Sequence, residues 1–194
     1  MILAIDTAAE RCAVALWRDD AIVAARAEDM ARGHAERLFP MIDEALGAAG
    51  VTLDDVRAIA VSTGPGNFTG VRVGVAAARG LALSLSASAI GVDRFECAAP
   101  AGYSGVVRLA ARGGAAHLAR FAGGAPTGEA ATLNADEAAA FIGDSPLVEA
   151  GATDLATLAR LAAARLENGE RPRPRYLKPT NAALPEAPPL PILP

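Results

Sequence analysis

The chain has 194 residues, 52% of them hydrophobic, 21% charged and 4% aromatic, so it can bury a sizeable core and is not a disordered segment. A formal net charge of −4 argues against a protein that holds nucleic acid alone, and two cysteines, Cys12 and Cys97, are too few for a disulfide framework. The longest apolar stretch, Val71 to Leu85, is interrupted by Arg72, Gly74, Arg79, Gly80 and Ser84, and the opening MILAID carries no basic segment ahead of an apolar one, so a cytoplasmic protein without a membrane span is expected.

Met1 to Asp6 reads as a buried strand, and Arg11 to Arg18 as a second, with Cys12, Val14 and Leu16 alternating with their neighbours. Thr7-Ala8-Ala9-Glu10 is short enough for a hairpin turn, and Ala21 to Ala27 supplies a third strand after Asp19-Asp20. From His34 to Ala49 the apolar positions Leu38, Met41, Ile42, Ala45, Leu46 and Ala49 follow one helical face. Arg57 to Thr63 returns to a strand, and a helix runs from about Thr69, its N-cap, to Leu85. Ala87 to Val92 adds a strand. Further on, the pattern predicts short strands at Val106–Ala110, Ala116–Phe121 and Leu147–Ala150, with helices at Ala135–Ile142 and Asp154–Leu166. No repeat of fixed period is visible. Pro100 and Gly102 suggest a boundary, dividing the chain into a first α/β lobe (1–99), a shortened second lobe (100–170) and a Pro-rich basic tail (171–194), which holds 8 of the 13 prolines.

The strongest local feature is Ser62-Thr63-Gly64-Pro65-Gly66-Asn67-Phe68-Thr69-Gly70-Val71-Arg72, which follows a strand and opens a helix. Free N–H groups and the helix dipole at such a turn can hold an anion; the same glycines can equally let a helix approach a sheet closely. The run is neither a Walker loop nor a dinucleotide fingerprint. In the helix that follows, Gly70, Gly74, Ala78 and Ala82 form a stripe of small residues, and only Arg72, Arg79 and Ser84 are polar. A helix apolar nearly all round needs cover on more than one side, either from this chain or from a partner. Asp6 ends its strand where phosphate-handling folds place a carboxylate, or where a turn is formed. His34 and His117 lack the spacing of a paired metal site, His34 reads as a surface or interface residue, and Cys12 as packing. Arg171, Arg173, Arg175 and Lys178, among prolines, read as a solvated exit from the last helix.

Ile5-Asp6-Thr7 with Cys12 to Leu16, Gly33-His34-Ala35-Glu36-Arg37-Leu38 with Pro40-Met41-Ile42, the Gly64 to Arg72 run and the late Pro174-Arg175-Tyr176-Leu177-Lys178 together resemble the bacterial TsaB (YeaZ) family. The match is near complete over residues 1 to 99 and patchy beyond, where Ala110 to His117 lacks the Asp and Tyr usual in that family. The resemblance implies an actin/sugar-kinase/Hsp70-like (ASKHA) α/β fold of two related lobes, the second reduced. It also implies a non-catalytic scaffold subunit of the complex that transfers threonylcarbamoyl to N6 of adenosine 37 in tRNAs reading codons that start with A. The implied partners are a TsaD-type catalytic subunit, a TsaE-type ATPase and, when the chain is alone, a second copy; tRNA contact is indirect, and no cofactor or metal is implied. On this reading the partner interface comprises Met41, Ala45, Arg72, Val75, Arg79 and Leu83, while Asp6, Thr7, Gly64, Gly66, Asn67 and Thr69 form a vestigial phosphate loop. Two rivals are a homodimeric binding protein and an independent enzyme, either an ATP-dependent transferase or a glycoprotease-like metallopeptidase.

Overall fold

A computed structural model describes residues 1–167 and 171–177. Strands β1 (Ile2–Asp6), β2 (Arg11–Arg18), β3 (Ala21–Asp29), β4 (Ala58–Ser62) and β5 (Ser88–Val92) form one sheet in the order β3-β2-β1-β4-β5. The three N-terminal strands pair antiparallel; β4 and β5 extend β1 in parallel. β1 is buried on both faces, which is why it lacks a polar alternation. Leu3 and Ile5 point into a core under helices α1 (His34–Ala49) and α2 (Phe68–Ser84). Ile2 and Ala4 point to the opposite face, covered by a helix from Leu155 to Ala163. Burial of each large aliphatic side chain contributes about 1.5–3 kcal/mol, so this double-sided strand anchors the lobe.

A second sheet contains β6 (Gly105–Ala110), β7 (Ala116–Ala122), β8 (Ala125–Leu133) and β9 (Leu147–Ala150), in the order β8-β7-β6-β9. Its meander of three antiparallel strands, then a helix, α4 (Ala135–Ile142), then a strand parallel to the first, repeats the plan of β1 to β4 around α1. The repeat is structural and leaves no sequence period. Among the described residues, the second sheet has one strand fewer than the first. Between the sheets lies α3 (Arg94–Ala98); α5 (Leu155–Ala163) follows β9 but packs back on the first sheet.

Two elements escaped the sequence pattern. β8 reads Ala-Pro-Thr-Gly-Glu-Ala-Ala-Thr-Leu, with Pro126 and Gly128 inside it. As an edge strand it tolerates a residue that cannot donate. α3 spans only five residues and is set by its cap: the Asp93 carboxylate accepts from Phe95 N, and Asp93 N donates to Glu96. The α2 cap also differs from expectation, being Asn67 rather than Thr69. Its side-chain oxygen accepts from Thr69 N and Gly70 N, both at 3.1 Å.

Residues 171–177 are not the solvated exit that the charge pattern predicts. Pro172 is buried against Gly91, Arg175 N donates to Thr63 O at 2.8 Å, and Leu177 packs against the core of the second sheet. Lys178 and the rest of the Pro-rich tail lie outside the described residues.

Candidate functional site

The loop from β4 into α2 packs directly on the turn after β1. A Cβ on Gly66 would collide with the Ala8 carbonyl oxygen, and one on Gly70 with that of Thr7. Asn67 N donates to Ala8 O at 2.7 Å, and the Thr7 hydroxyl donates to Gly70 O at 2.7 Å. Gly64 has φ +98°, a conformation that a side chain strains. The N–H groups of Asn67, Thr69, Gly70 and Val71, which an anion at this helix end would need, therefore have acceptors within the chain. Thus Asp6, Thr7, Gly64, Gly66, Asn67 and Thr69 do converge, but on one another. Asp6 forms the turn: its Oδ1 accepts from Ala8 N at 3.0 Å, while Oδ2 is buried without a partner among the described residues. Ser62, at the end of the neighbouring strand, also has an unpartnered buried hydroxyl.

Above this turn, a cleft of about 870 Å³ separates the two sheets. One wall comes from the β1–β2 turn and the Pro65–Phe68 segment; the other from the β6–β7 turn and the residues after β9. Arg94 joins the walls, donating from Nη1 to Pro65 O and from Nη2 to Gly151 O, each at 2.9 Å. Arg175 makes an ion pair with Asp93. Burial pushes the Asp93 carboxyl up from its ordinary range, and the Arg175 charge pulls it back. Burial also raises both thiols, Cys12 to about 11, as befits packing residues. Among the described residues, no three His, Cys, Asp or Glu side chains converge on a metal-binding geometry.

The second feature is the outer face of α1 and α2. Of the six residues expected at an interface, Met41, Ala45 and Val75 are in the core and do not reach the surface, because they lie on the stripes that face the sheet. The exposed members are Arg72, Arg79 and Leu83. Arg72 is held in place: its guanidinium lies 3.8 Å over the Phe68 ring, and its Nε donates to the Tyr176 hydroxyl at 2.8 Å. The Gly70-Gly74-Ala78-Ala82 stripe is buried within this chain, its glycines against Thr7. A different set of small residues faces outward. Ala35, Val73, Ala76, Ala77, Gly80 and Ser84 line an open apolar groove of about 550 Å³, flanked by Phe39 at 50% exposure. Leu83, further round α2, is 78% exposed. His34, expected at the surface, is buried. Sequence reasoning missed Phe39, the Arg94 bridge and the Tyr176–Arg72 contact. Only the Pro174 to Lys178 motif hinted at the last of these.

Residues 24–146 match the family described as TsaD: tRNA N6-adenosine threonylcarbamoyltransferase. The chain belongs to that family and stands with its TsaB (YeaZ) members. It is 49% identical over 92 residues to the tRNA threonylcarbamoyladenosine biosynthesis protein TsaB of Escherichia coli K12, covering 47% of this chain and 39% of that protein. It is 40% identical over 104 residues to the TsaB of Haemophilus influenzae, covering 53% and 43%. The match thus spans less than half the length of each of these curated relatives. The structure described as YeaZ from Pseudomonas aeruginosa superimposes with a TM-score of 0.70 at 29% identity, over 91% of this chain and 99% of that one. The fold is accordingly the two-sheet α/β architecture of that YeaZ structure.

Proposed function

We propose that this chain is a non-catalytic scaffold subunit in tRNA threonylcarbamoyladenosine biosynthesis, acting in the cytoplasm. Its lobe of residues 1–99 docks on a TsaD-type catalytic subunit through the outer face of α1 and α2, and a TsaE-type ATPase joins the pair. The observation that carries the reading is the apolar groove between these helices, with Phe39 exposed in its lining and Leu83 exposed further round α2. Each such side chain, once buried by a partner, supplies about 1.5–3 kcal/mol. Ala76, Ala77 and Gly80 on the outer surface permit close approach of another helix. The internal use of N–H donors at the Gly64 to Arg72 loop supports a scaffold over a phosphoryl-transfer enzyme.

The direct test is reconstitution of threonylcarbamoyl transfer to tRNA from purified TsaD-type and TsaE-type subunits, with and without this chain. The account predicts product only when the chain is present, none from the chain alone, and loss of product with Leu83→Asp. Transfer activity in the chain alone would overturn the non-catalytic assignment.

A further inference from the structure

The described residues leave the groove between α1 and α2 open, and the same chain carries a segment of matching chemistry close by. Residues 178–194 include six prolines, and Lys178 and Glu186 are the only charged side chains among them. Leu184, Ala187, Leu190 and Leu193 recur there at every third position, and each is followed by a proline, Pro185, Pro188, Pro191 and Pro194. A sequence of this kind favours the polyproline II conformation, which has three residues per turn and no hydrogen bonds of its own. The spacing therefore puts the three leucines and Ala187 along one edge, with a row of proline rings beside them. A solvated exit has no need of such an edge.

The place where the described chain stops decides what this segment can reach. Leu177 packs on the second sheet, and Tyr176 before it accepts from Arg72 Nε at 2.8 Å. Arg72 directly precedes Val73, the first α2 residue of the groove, so the chain is delivered to that end of it. From Val73 to Ser84 the groove follows about 17 Å of helix. Leu184 to Leu193 spans about 28 Å as polyproline II. The stretch from Lys178 to Ala183 bridges up to about 20 Å between them. The lining is apolar, with small side chains at Ala35, Ala76, Ala77 and Gly80 and the half-exposed Phe39 ring at its edge, the kind of surface on which proline-rich segments dock.

We infer that residues 184–193 lie in the α1–α2 groove of their own chain, and that a docking partner has to displace them. The inference rests on the docking reading only for the identity of that partner. Tethering makes a weak contact sufficient, because the segment is held at a high local concentration. Only the fraction of molecules whose groove is vacated can take a partner, so the segment lowers the apparent affinity of the face that it covers.

A nitroxide on the full chain tests this placement. Cys12 and Cys97 are buried, so the label attaches selectively at Pro194→Cys. In methyl NMR spectra, paramagnetic broadening is expected to be strongest at Val73, Ala76 and Ala77. It is expected to be lost from them in Leu190→Asp/Leu193→Asp and in Ala76→Glu, which changes an exposed position and keeps the fold. Broadening spread evenly over the surface, centred on another face or unchanged in the variants would overturn the inference. So would broadening between chains when nitroxide-bearing chains are mixed with isotope-labelled ones that lack it, since the segment would then sit on a second copy. The Leu190→Asp/Leu193→Asp chain is expected to bind a TsaD-type subunit about threefold or more tightly than the wild type, and equal affinity would overturn the displacement. Absence of a complex with either chain would contradict the docking reading instead, and the nitroxide result, obtained without a partner, still decides where the segment lies.

Discussion

Gly66 and Gly70 are where residue chemistry matters most, because there the loop touches the backbone of the first turn. Gly66→Ala or Gly70→Ala has to displace a carbonyl oxygen, so each is expected to cost about 2–3 kcal/mol, read by urea denaturation. Gly80, also in α2, has open space at its Cβ; Gly80→Ala is expected to stabilise by about 0.5–1 kcal/mol through helix propensity alone. Equal effects at the three sites would contradict the packing described. The sequence could show that a glycine-rich turn stood here, but not whether its donors faced a ligand or the chain itself. That depended on Thr7 and Ala8, which are some sixty positions away. Asp93 offers a second residue-scale test. Burial holds its carboxyl above the usual range, so the folded state binds its proton more readily than the unfolded one, and its ionisation costs stability as pH rises through the raised value. Arg175→Ala removes the countercharge and raises that value further. Its expected cost, about 1–3 kcal/mol near pH 7 after allowing for the partial exposure of Arg175, should shrink as pH falls through the raised value and Asp93 becomes neutral. A pH-independent loss in chemical denaturation would rule out the ion pair as its cause.

At the level of elements, α1 and β2 were legible to the residue because long amphipathic periods and clean alternation are written locally. α2 was legible in extent but not in orientation. Its surface is apolar nearly all round, so the period could not say which stripe met the sheet, and Val75 was placed at an interface when it is core; Met41 and Ala45, placed there too, lie on the buried stripe of α1. Exposed and buried stripes should respond differently to charge. Ala78→Asp places a carboxylate in the first core and is expected to cost about 3 kcal/mol or more, whereas Leu83→Asp should leave the unfolding midpoint nearly unchanged. Circular dichroism melts compare the two directly, and similar destabilisation would mean that the inner and outer faces are wrongly assigned. β8 illustrates a different limit: an edge strand carrying Pro126 and Gly128 gains its order from pairing with β7, a tertiary fact absent from its own composition.

The molecule as a whole is two versions of one sheet plan, the second a strand short among the described residues, tied together by Arg94 and by residues 171–177. That doubling was accessible only through resemblance, because each sheet keeps the order of pairing and not the side chains. The ties give the cleft a fixed width and set Tyr176 against Arg72 at the start of α2, so that the segment 171–177 touches the helix whose outer face the described residues leave open. An apolar groove that the described residues leave open, on an otherwise well-packed lobe, is the central fact that a functional account has to explain. The most direct measurement is the mass in solution, by light scattering, of the full chain alone, mixed with the TsaD-type subunit of the same organism, and again as Leu83→Asp. The account predicts a 1:1 complex that displaces any homodimer and is lost in the variant. Separate species in the wild-type mixture, or a complex indifferent to Leu83→Asp, would contradict docking through this face.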